Sequence, residues 1–547
     1  MIKFGRKHPS ILLTSVFGPY AIDDRFGSRR ANPMELFHNQ VTREQGPFSL
    51  RMFHRSWGLK FIQENIGKPS VLLDFPTRER FIDEIKKHPY KIIGISSIYV
   101  NFYKVKEMCR LIRNIQPAAT IVIGGHIAAM PGLKELVGAD HVVTGDGIRW
   151  FRKFLKEDPD RPIRHPHIFN EISPRIMGVS IRESTSKNFA VVVPSVGCPI
   201  GCEFCSTSAM FGGKGKFVNF YETGEELFEV ICDIERRLKT RSFIVMDENF
   251  LLHKTRAKRL LELIEQNNKR WSFFVFSSAN AIKQYSIEEL VRLGIWMIWM
   301  GLECEDAGYE KLRSIDTHKL VSELRSHGIH VLGSTIIGIK DHTTKDIKAI
   351  IDRAVAHNTD FHQFMLYMPL PGTPLYHEYE KSGILHAPDD FHIADAHGQY
   401  KFNYRHGSIE AGLENGLLIE AFRKDFMING PSIIRFFNTV LMGWKRYRDC
   451  EDNRIRNRTL RNAVPLIWFY PGILWAAKRF WSEDKHMRSL LSDMQRAAEE
   501  ELPWLTRLFA LFVGPFLYYS IRSEERRLKK ETAYEPPTFY EIRTDAD

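Results

Sequence analysis

"VGCPIGCEFCSTS", residues 196–208, sets Cys198, Cys202 and Cys205 in a C-x3-C-x2-C row. Three thiolates on a short glycine-bearing loop can hold three irons of a cubane cluster and leave the fourth iron open to a small ligand. Structural zinc fits poorly, since it wants four ligands and no Cys or His obviously completes the row. Chance clustering is disfavoured, because the other four cysteines (Cys109, Cys232, Cys304 and Cys450) are scattered singly. Each of those four reads as a core residue.

The row follows "FAVVVPSV" (189–196), the first of six strand-like runs. The others are "SFIVMDENF" (242–250), "SFFVFSSAN" (272–280), "IWMIWMGLE" (295–303), "HVLGSTIIG" (330–338) and "FHQFMLYMPLPG" (361–372). Helical segments such as 223–238 and 255–266 lie between them. Six β–α repeats predict a partial parallel (β/α)6 barrel, whose chemistry belongs at the C-terminal strand ends. The cysteine row stands at such an end.

Upstream, residues 11–157 alternate strands with helices: 11–17, 70–76, 91–98, 120–126 and 141–147 are β-branched runs, and "VKEMCRLIRNIQ" (105–116) is helical. This pattern predicts an α/β domain with a doubly wound parallel sheet. Ligands of such sheets sit beyond the C-terminal strand ends. Those ends carry Gly94 and Ser96, then Gly124-Gly125-His126, then Gly145-Asp146-Gly147. The glycines serve either close approach of a flat or phosphate-bearing ligand, or tight turns alone.

The expected organisation is a Rossmann-like domain at 1–160, a proline-rich linker at 161–187, the barrel at 188–385 and a helical C-terminal region at 386–547. The chain of 547 residues is too long for one core. Its net charge of +11 favours anionic partners. Seven cysteines are too few for a disulfide framework, so a reducing, cytoplasmic setting is expected. The apolar run Ile11 to Phe17 reads as a buried first strand and not as a signal peptide.

With spacing, position and fold in agreement, the C-x3-C-x-aromatic-C row heading a partial barrel resembles the radical S-adenosylmethionine (SAM) superfamily. The resemblance implies a [4Fe-4S] cluster on Cys198, Cys202 and Cys205, with SAM on the fourth iron and Phe204 in the aromatic position. Reductive cleavage of SAM would then give a 5′-deoxyadenosyl radical. Matched position by position, Asp247, Glu248 and Asn249 correspond to the motif that binds the SAM amino group. Ser277 and Ser278 fall near the ribose, Glu303 matches a G-x-E glutamate, and Gly338 would admit the adenine. For the Asp247–Asn249 carboxylates the alternative is capping of the following helix.

The preceding domain narrows the resemblance to B12-binding radical SAM enzymes, over about residues 10–380. That group includes cobalamin-dependent methylases of hopanoids and bacteriochlorophylls and the anaerobic magnesium-protoporphyrin ester cyclase. It implies cobalamin at Gly94, Ser96, Gly124, Gly125 and Gly145. No D-x-H-x-x-G motif supplies a histidine to cobalt. His126 is either an axial ligand or a helix-start histidine. The block 34–61 stands where the first helix of a B12 domain is expected. Its His38 and His54 either face substrate or cobalamin, or are structural.

The C-terminal region holds two apolar stretches, 464–477 and 508–519, interleaved with basic residues. They predict either contact with a membrane surface or a helical cap on the barrel. Leu508–Tyr519 is read as too short to span and as broken at Gly514-Pro515. The resulting expectation is a cobalamin-dependent radical SAM enzyme that C-methylates an unactivated carbon of an apolar or lipid-like small molecule. It would draw electrons from a donor such as flavodoxin or ferredoxin, and work in the cytoplasm or peripherally on the inner membrane face. A non-methylating cyclase or rearrangement enzyme is the close variant. An RNA-modifying enzyme ranks lower, for want of an auxiliary cysteine set, so nucleic acid is not the expected partner. A non-catalytic sensor has no need of the SAM motifs.

Overall fold

β-Branched runs that are apolar at every position should be covered on both faces, and the two six-stranded sheets among the described residues show that pattern. The computed structural model describes residues 8–20, 25–28, 30–32, 34–169, 174–180, 189–302, 315–339, 342–387, 389–530 and 534–544. The first sheet contains β1 (Ile11–Thr14), β2 (Ser70–Asp74), β3 (Ile92–Ser96), β4 (Thr120–Gly124) and β5 (His141–Val142). These five are parallel, in the order β2-β1-β3-β4-β5. Leu12, Val71, Ile93 and Ile121 meet the helices Arg78–Lys87 and Phe102–Ile115 on one face. Ile11, Leu13, Leu72 and Val122 meet Trp57–Asn65 and Gly147–Phe154 on the other. Each such fully buried aliphatic side chain contributes about 1.5–3 kcal/mol.

The barrel strands are β6 (Ala190–Val192), β7 (Ser242–Val245), β8 (Ser272–Phe276), β9 (Ile295–Gly301), β10 (His330–Ile337) and β11 (Phe361–Leu366). All six expected strands are present, parallel and in sequential order. Its interior is apolar and aromatic: Ile244, Phe274, Met297, Leu332 and Phe361 pack together. Phe37 and Val41 join that cluster from the N-terminal domain. The block 34–56 is therefore not the first helix of its sheet, which starts only at Trp57. Instead Phe37–Val41 forms a short π-helix against the barrel, where the Gln363 amide donates to Gln40 over 3.0 Å. His38 is structural: its ring bonds Ser49 at 2.7 Å and Arg51 at 2.8 Å.

Past the barrel come α1 (Glu414–Asn429), α2 (Ser432–Tyr447), α3 (Asn453–Phe480), α4 (Lys485–Glu501) and α5 (Trp504–Lys529). The break expected at Gly514-Pro515 does not occur, since α5 runs through Pro515 for 26 residues. Packing overrides the breaker. Glycines let α3 and α5 touch: a Cβ on Gly472 would lie 2.8 Å from Val513, and one on Gly514 would lie 2.7 Å from Trp475. The two helices run in the same direction, with Trp468 beside Phe509 and Trp475 beside Gly514. Length and composition make α5 the one helix among the described residues that could cross a membrane.

One more strand lies in the C-terminal region. After α5, β12 (Phe539–Arg543) returns to the first sheet and pairs antiparallel with β2, Glu541 opposite Leu72. The first sheet is thus six-stranded and mixed.

Candidate active site

The cysteine loop is closed at its base by an antiparallel pair, Ser195–Val196 with Val218–Asn219. Inside it, the Gly215 N–H donates to the Pro199 carbonyl over 2.8 Å, and the Ser208 hydroxyl donates to the Cys198 carbonyl over 2.7 Å. Gly201 has φ +70°, and a Cβ there would sit 2.5 Å from the Lys214 backbone, so this crossing requires glycine. Cys205 caps the short helix Ser206–Met210, its sulfur accepting from the Ser208 N–H at 3.5 Å.

All three thiols are half-buried and none is in a disulfide. Burial, then the neighbouring sulfurs of Cys202 and Cys205, push the Cys198 thiol up to about 11. Hydrogen bonds from the Ile200 N–H and the Asn249 side chain act in the opposite direction. Three sulfurs on one loop that repel one another as thiolates are the donor set an iron cluster satisfies, because its positive charge reverses the penalty. The residues fit the cluster.

At the end of β7, Asp247 and Glu248 have different tasks. Asp247 is buried, and its oxygens accept from Arg256 at 2.6 Å, from the Ser195 hydroxyl and from the Asn249 N–H at 3.0 Å. Its carboxylate is occupied by the protein itself. Glu248 is the contrast: it accepts from the Gly197 N–H, and its Oε2 is buried with no partner. Burial, and then the charge of Asp247, raise its carboxyl to about 7. An orphaned carboxylate oxygen one residue from Cys198 fits the ammonium group of SAM.

Asn249 ties three strand ends together. Its side chain bonds Cys198, and its Oδ1 accepts from the Ser277 hydroxyl at 3.0 Å and the Ser278 N–H at 3.0 Å. Ser277 and Ser278 are thereby placed beside the cysteine loop, though the Ser277 hydroxyl is already spent on Asn249. Glu303 and Cys304 lie outside the described residues. Gly338 has φ +82°, but the space a Cβ would take there is held by Phe402, whose Cζ would be 2.5 Å away. The bare face of Gly338 is thus taken up by the Phe402 ring. Phe204 packs in the same apolar cluster as Phe402. Phe402 also walls a cavity of about 400 Å³, with Arg30, His386, Phe391, Tyr400 and Lys401.

Sequence reasoning missed Arg256. It lies nine residues after Asp247 and forms an ion pair in which both side chains are almost fully buried. The only signal was an arginine at the start of the helix after β7. Breaking a buried pair by removing one partner costs about 3–5 kcal/mol. Arg256→Met is expected to lower the denaturation midpoint strongly, whereas Lys258→Met, two residues away on a half-exposed pair, changes it little. Urea titrations of both variants check this.

In the first sheet the expected cobalamin residues divide. Gly94 lies within β3, where a Cβ would press on Leu13 and Phe151 at 3.1 and 3.2 Å. Its role is internal packing. Ser96, Gly124 and Gly125 stand at the strand ends, and Gly125 (φ +84°) would put a Cβ 2.4 Å from the Ser97 carbonyl. His126 begins the turn His126–Ala129, with its Nδ1 buried and unpartnered. That turn packs on the helix Ser206–Met210. Gly145 also faces this helix, its missing Cβ 3.6 Å from the Met210 carbonyl. His54 is buried beside Trp57 and Phe37, and burial lowers its pKa to about 4.

A nucleotide-type sheet whose C-terminal edge abuts the cysteine loop of a parallel partial barrel defines a two-cofactor class of protein. Residues 64–155 match the B12 binding domain, and residues 192–354 match the radical SAM superfamily. The chain thus joins a B12 binding domain to a radical SAM domain, the pair of domains whose cofactors are a [4Fe-4S] cluster, SAM and cobalamin. It is 27% identical over 327 residues to an uncharacterised methyltransferase of Pyrococcus horikoshii, covering 53% of this chain and 70% of the relative. It is 27% identical over 308 residues to the bacteriochlorophyllide d C-12(1)-methyltransferase of Chlorobaculum tepidum, covering 54% of this chain and 64% of that one. The fold resembles TsrM, a radical SAM methyltransferase of Kitasatospora setae solved with cobalamin and a [4Fe-4S] cluster. The TM-score is 0.52 at 15% identity, over 84% of this chain and all of that one.

Proposed function

We propose that the protein transfers a methyl group from SAM to an unactivated carbon of an apolar, lipid-like small molecule. The observation that carries this reading is the shared wall: the turn His126–Ala129 and Gly145 lie against the helix that Cys205 caps. Groups held on the two domains would therefore face one space. When bound, the cluster and SAM supply a carbon-centred radical, and cobalamin supplies the methyl group.

The chain's own residues bind and orient. Cys198, Cys202 and Cys205 hold the cluster. Glu248 takes the SAM ammonium, while Asp247, locked by Arg256, fixes the backbone that presents it. Asn249 holds the cysteine loop to the Ser277–Ser278 turn. Ser96, Gly124, Gly125 and Gly145 border the cobalamin face. The aromatic cavity beside Phe402 admits the substrate, and displacement of Phe402 would open Gly338 to the adenine. A donor such as flavodoxin or ferredoxin supplies the electron, and the enzyme works from the cytoplasm at the inner membrane face.

The test is anaerobic reconstitution with iron, sulfide and cobalamin, followed by incubation with methyl-labelled SAM, a low-potential reductant and a lipid extract of a deletion strain. Label is expected in one apolar product, together with 5′-deoxyadenosine and S-adenosylhomocysteine. 5′-Deoxyadenosine formed with substrate consumption but no transferred label would replace methylation by the cyclase or rearrangement reading.

A further inference from the structure

α5 buries Thr506, Ala510, Gly514, Leu517 and Ile521 against its neighbours, and turns a different set outward. The outward set is large and apolar: Leu511, Phe512, Phe516 and Tyr519 are 62, 79, 61 and 74% exposed. Trp504, Leu505 and Leu508 extend this face toward the helix start, and Val464, Trp468 and Phe469 of α3 continue it sideways. Phe509 joins the two parts, its ring 5.9 Å from Trp468 and 5.8 Å from Phe469. Nothing comparable is exposed elsewhere among the described residues. Contiguous apolar surface of this extent marks an interaction site.

Its occupant follows from the rim. Exposed cations border the face: Arg446 lies at the end of α2, Arg507 within α5, and Arg526 and Lys530 beyond its apolar part, while Lys445 pairs with Glu501, and Arg522 and Lys529 share Glu525. Trp504 and Tyr519 stand at the two ends of the α5 stretch, where amphipathic rings meet a headgroup layer. A second copy of the chain, docked about a two-fold axis on this face, would bring cations of one sign together. An anionic lipid surface complements both the apolar face and its rim.

The ends of α5 decide how it meets the lipid. Glu524 is buried and bonds Arg175 at 2.9 Å and Arg527 at 2.7 Å, with Arg51 at 4.0 Å. Residues beyond α5 then enter the first sheet as β12. At the other end α4 folds back against α3. Both ends are thus fastened to the water-soluble body, and one flank is covered by α3.

We propose that the joint face of α3 and α5 docks the enzyme in the plane of an anionic bilayer, with α5 lying along the interface and not across it. The docking deepens the proposed function by making the bilayer the phase from which the substrate is taken.

Flotation of the reconstituted full chain with phosphatidylcholine–phosphatidylglycerol vesicles tests it. The wild type is expected to float at low salt and to bind more weakly at high salt. Phe512→Gln/Phe516→Gln is expected to lower partitioning about a hundredfold, given what burial of two phenylalanines is worth. Unchanged iron and cobalamin content shows that this variant is folded. Wild type that stays in the aqueous fraction, or that dimerises through these phenylalanines and ignores vesicles, overturns the proposal. So does α5 resisting alkaline extraction from native membranes, which would mean that it spans. SAM cleavage is measured without vesicles, so failure of docking and failure of the proposed chemistry are separate results.

Discussion

Cys202→Ala is expected to reduce 5′-deoxyadenosine production to background. Two thiolates remain, and they cannot hold a cubane that leaves one iron open. Iron content should fall with the activity. The loop itself should persist, because its closure rests on the Ser208 hydroxyl bond to the Cys198 carbonyl, the Gly215–Pro199 backbone bond and the Ser195–Val196 pairing, none of which uses the Cys202 side chain. Chromatography of quenched reactions, beside the thermal melt of the variant, checks both parts. Persistent 5′-deoxyadenosine would place the cluster elsewhere in the chain.

Glu248→Gln is expected to move binding and stability in opposite directions. The glutamate carboxyl is raised by burial to about 7 in the cofactor-free fold, against 4.5 for the reference group. Below pH 4.5 both states are protonated and the group is neutral toward folding. Between the two values the unfolded chain loses its proton while the native state keeps it, so stability falls as pH rises. The loss levels off above pH 7 at about 3 kcal/mol. Glutamine removes this penalty, so the variant without cofactor should melt higher than wild type at pH 8 and equally at pH 4. A charge-assisted hydrogen bond to the SAM ammonium is worth about 1.5–3 kcal/mol, so SAM affinity should drop about ten- to a hundredfold. Calorimetric melts across pH and equilibrium dialysis of SAM measure the two effects. Equal melts at pH 8 would show that Oε2 is solvated, and unchanged SAM affinity would remove Glu248 from the site.

The features legible in the sequence are those written within one strand and its turn. Six apolar runs ending in polar residues gave the barrel, and the thiol spacing lies on one loop. Local sequence was also enough to place Asn249 and Ser277–Ser278 at neighbouring strand ends, because parallel neighbours in sequential order put equivalent ends side by side. What escaped depends on partners far along the chain. Gly94 and Gly125 look alike in sequence, yet one makes room for Phe151 and the other clears the Ser97 carbonyl. Asp247 and Glu248 are adjacent carboxylates, and only the reach of Arg256 shows which is spent. Gly514-Pro515 has the composition of a break. It becomes a helix crossing because Trp475 covers the glycine. Phe37 and Val41 belong by sequence to the first domain and by packing to the second.

The strand Phe539–Arg543 makes closure of the first sheet wait on a segment that lies beyond the barrel and the helical region in the chain. While the ribosome is still making the barrel and the helical region, β2 waits as an open edge with unpaired backbone groups. Such edges invite pairing with other nascent chains. The edge is sealed only when the last described segment emerges, with Thr538 donating to the Phe75 carbonyl over 2.8 Å and Arg55 over the Phe539 ring. Closure of the first sheet therefore depends on a segment that follows the barrel and the helical region in the chain, and a bulky group fused just after Arg543 would compete with that closure.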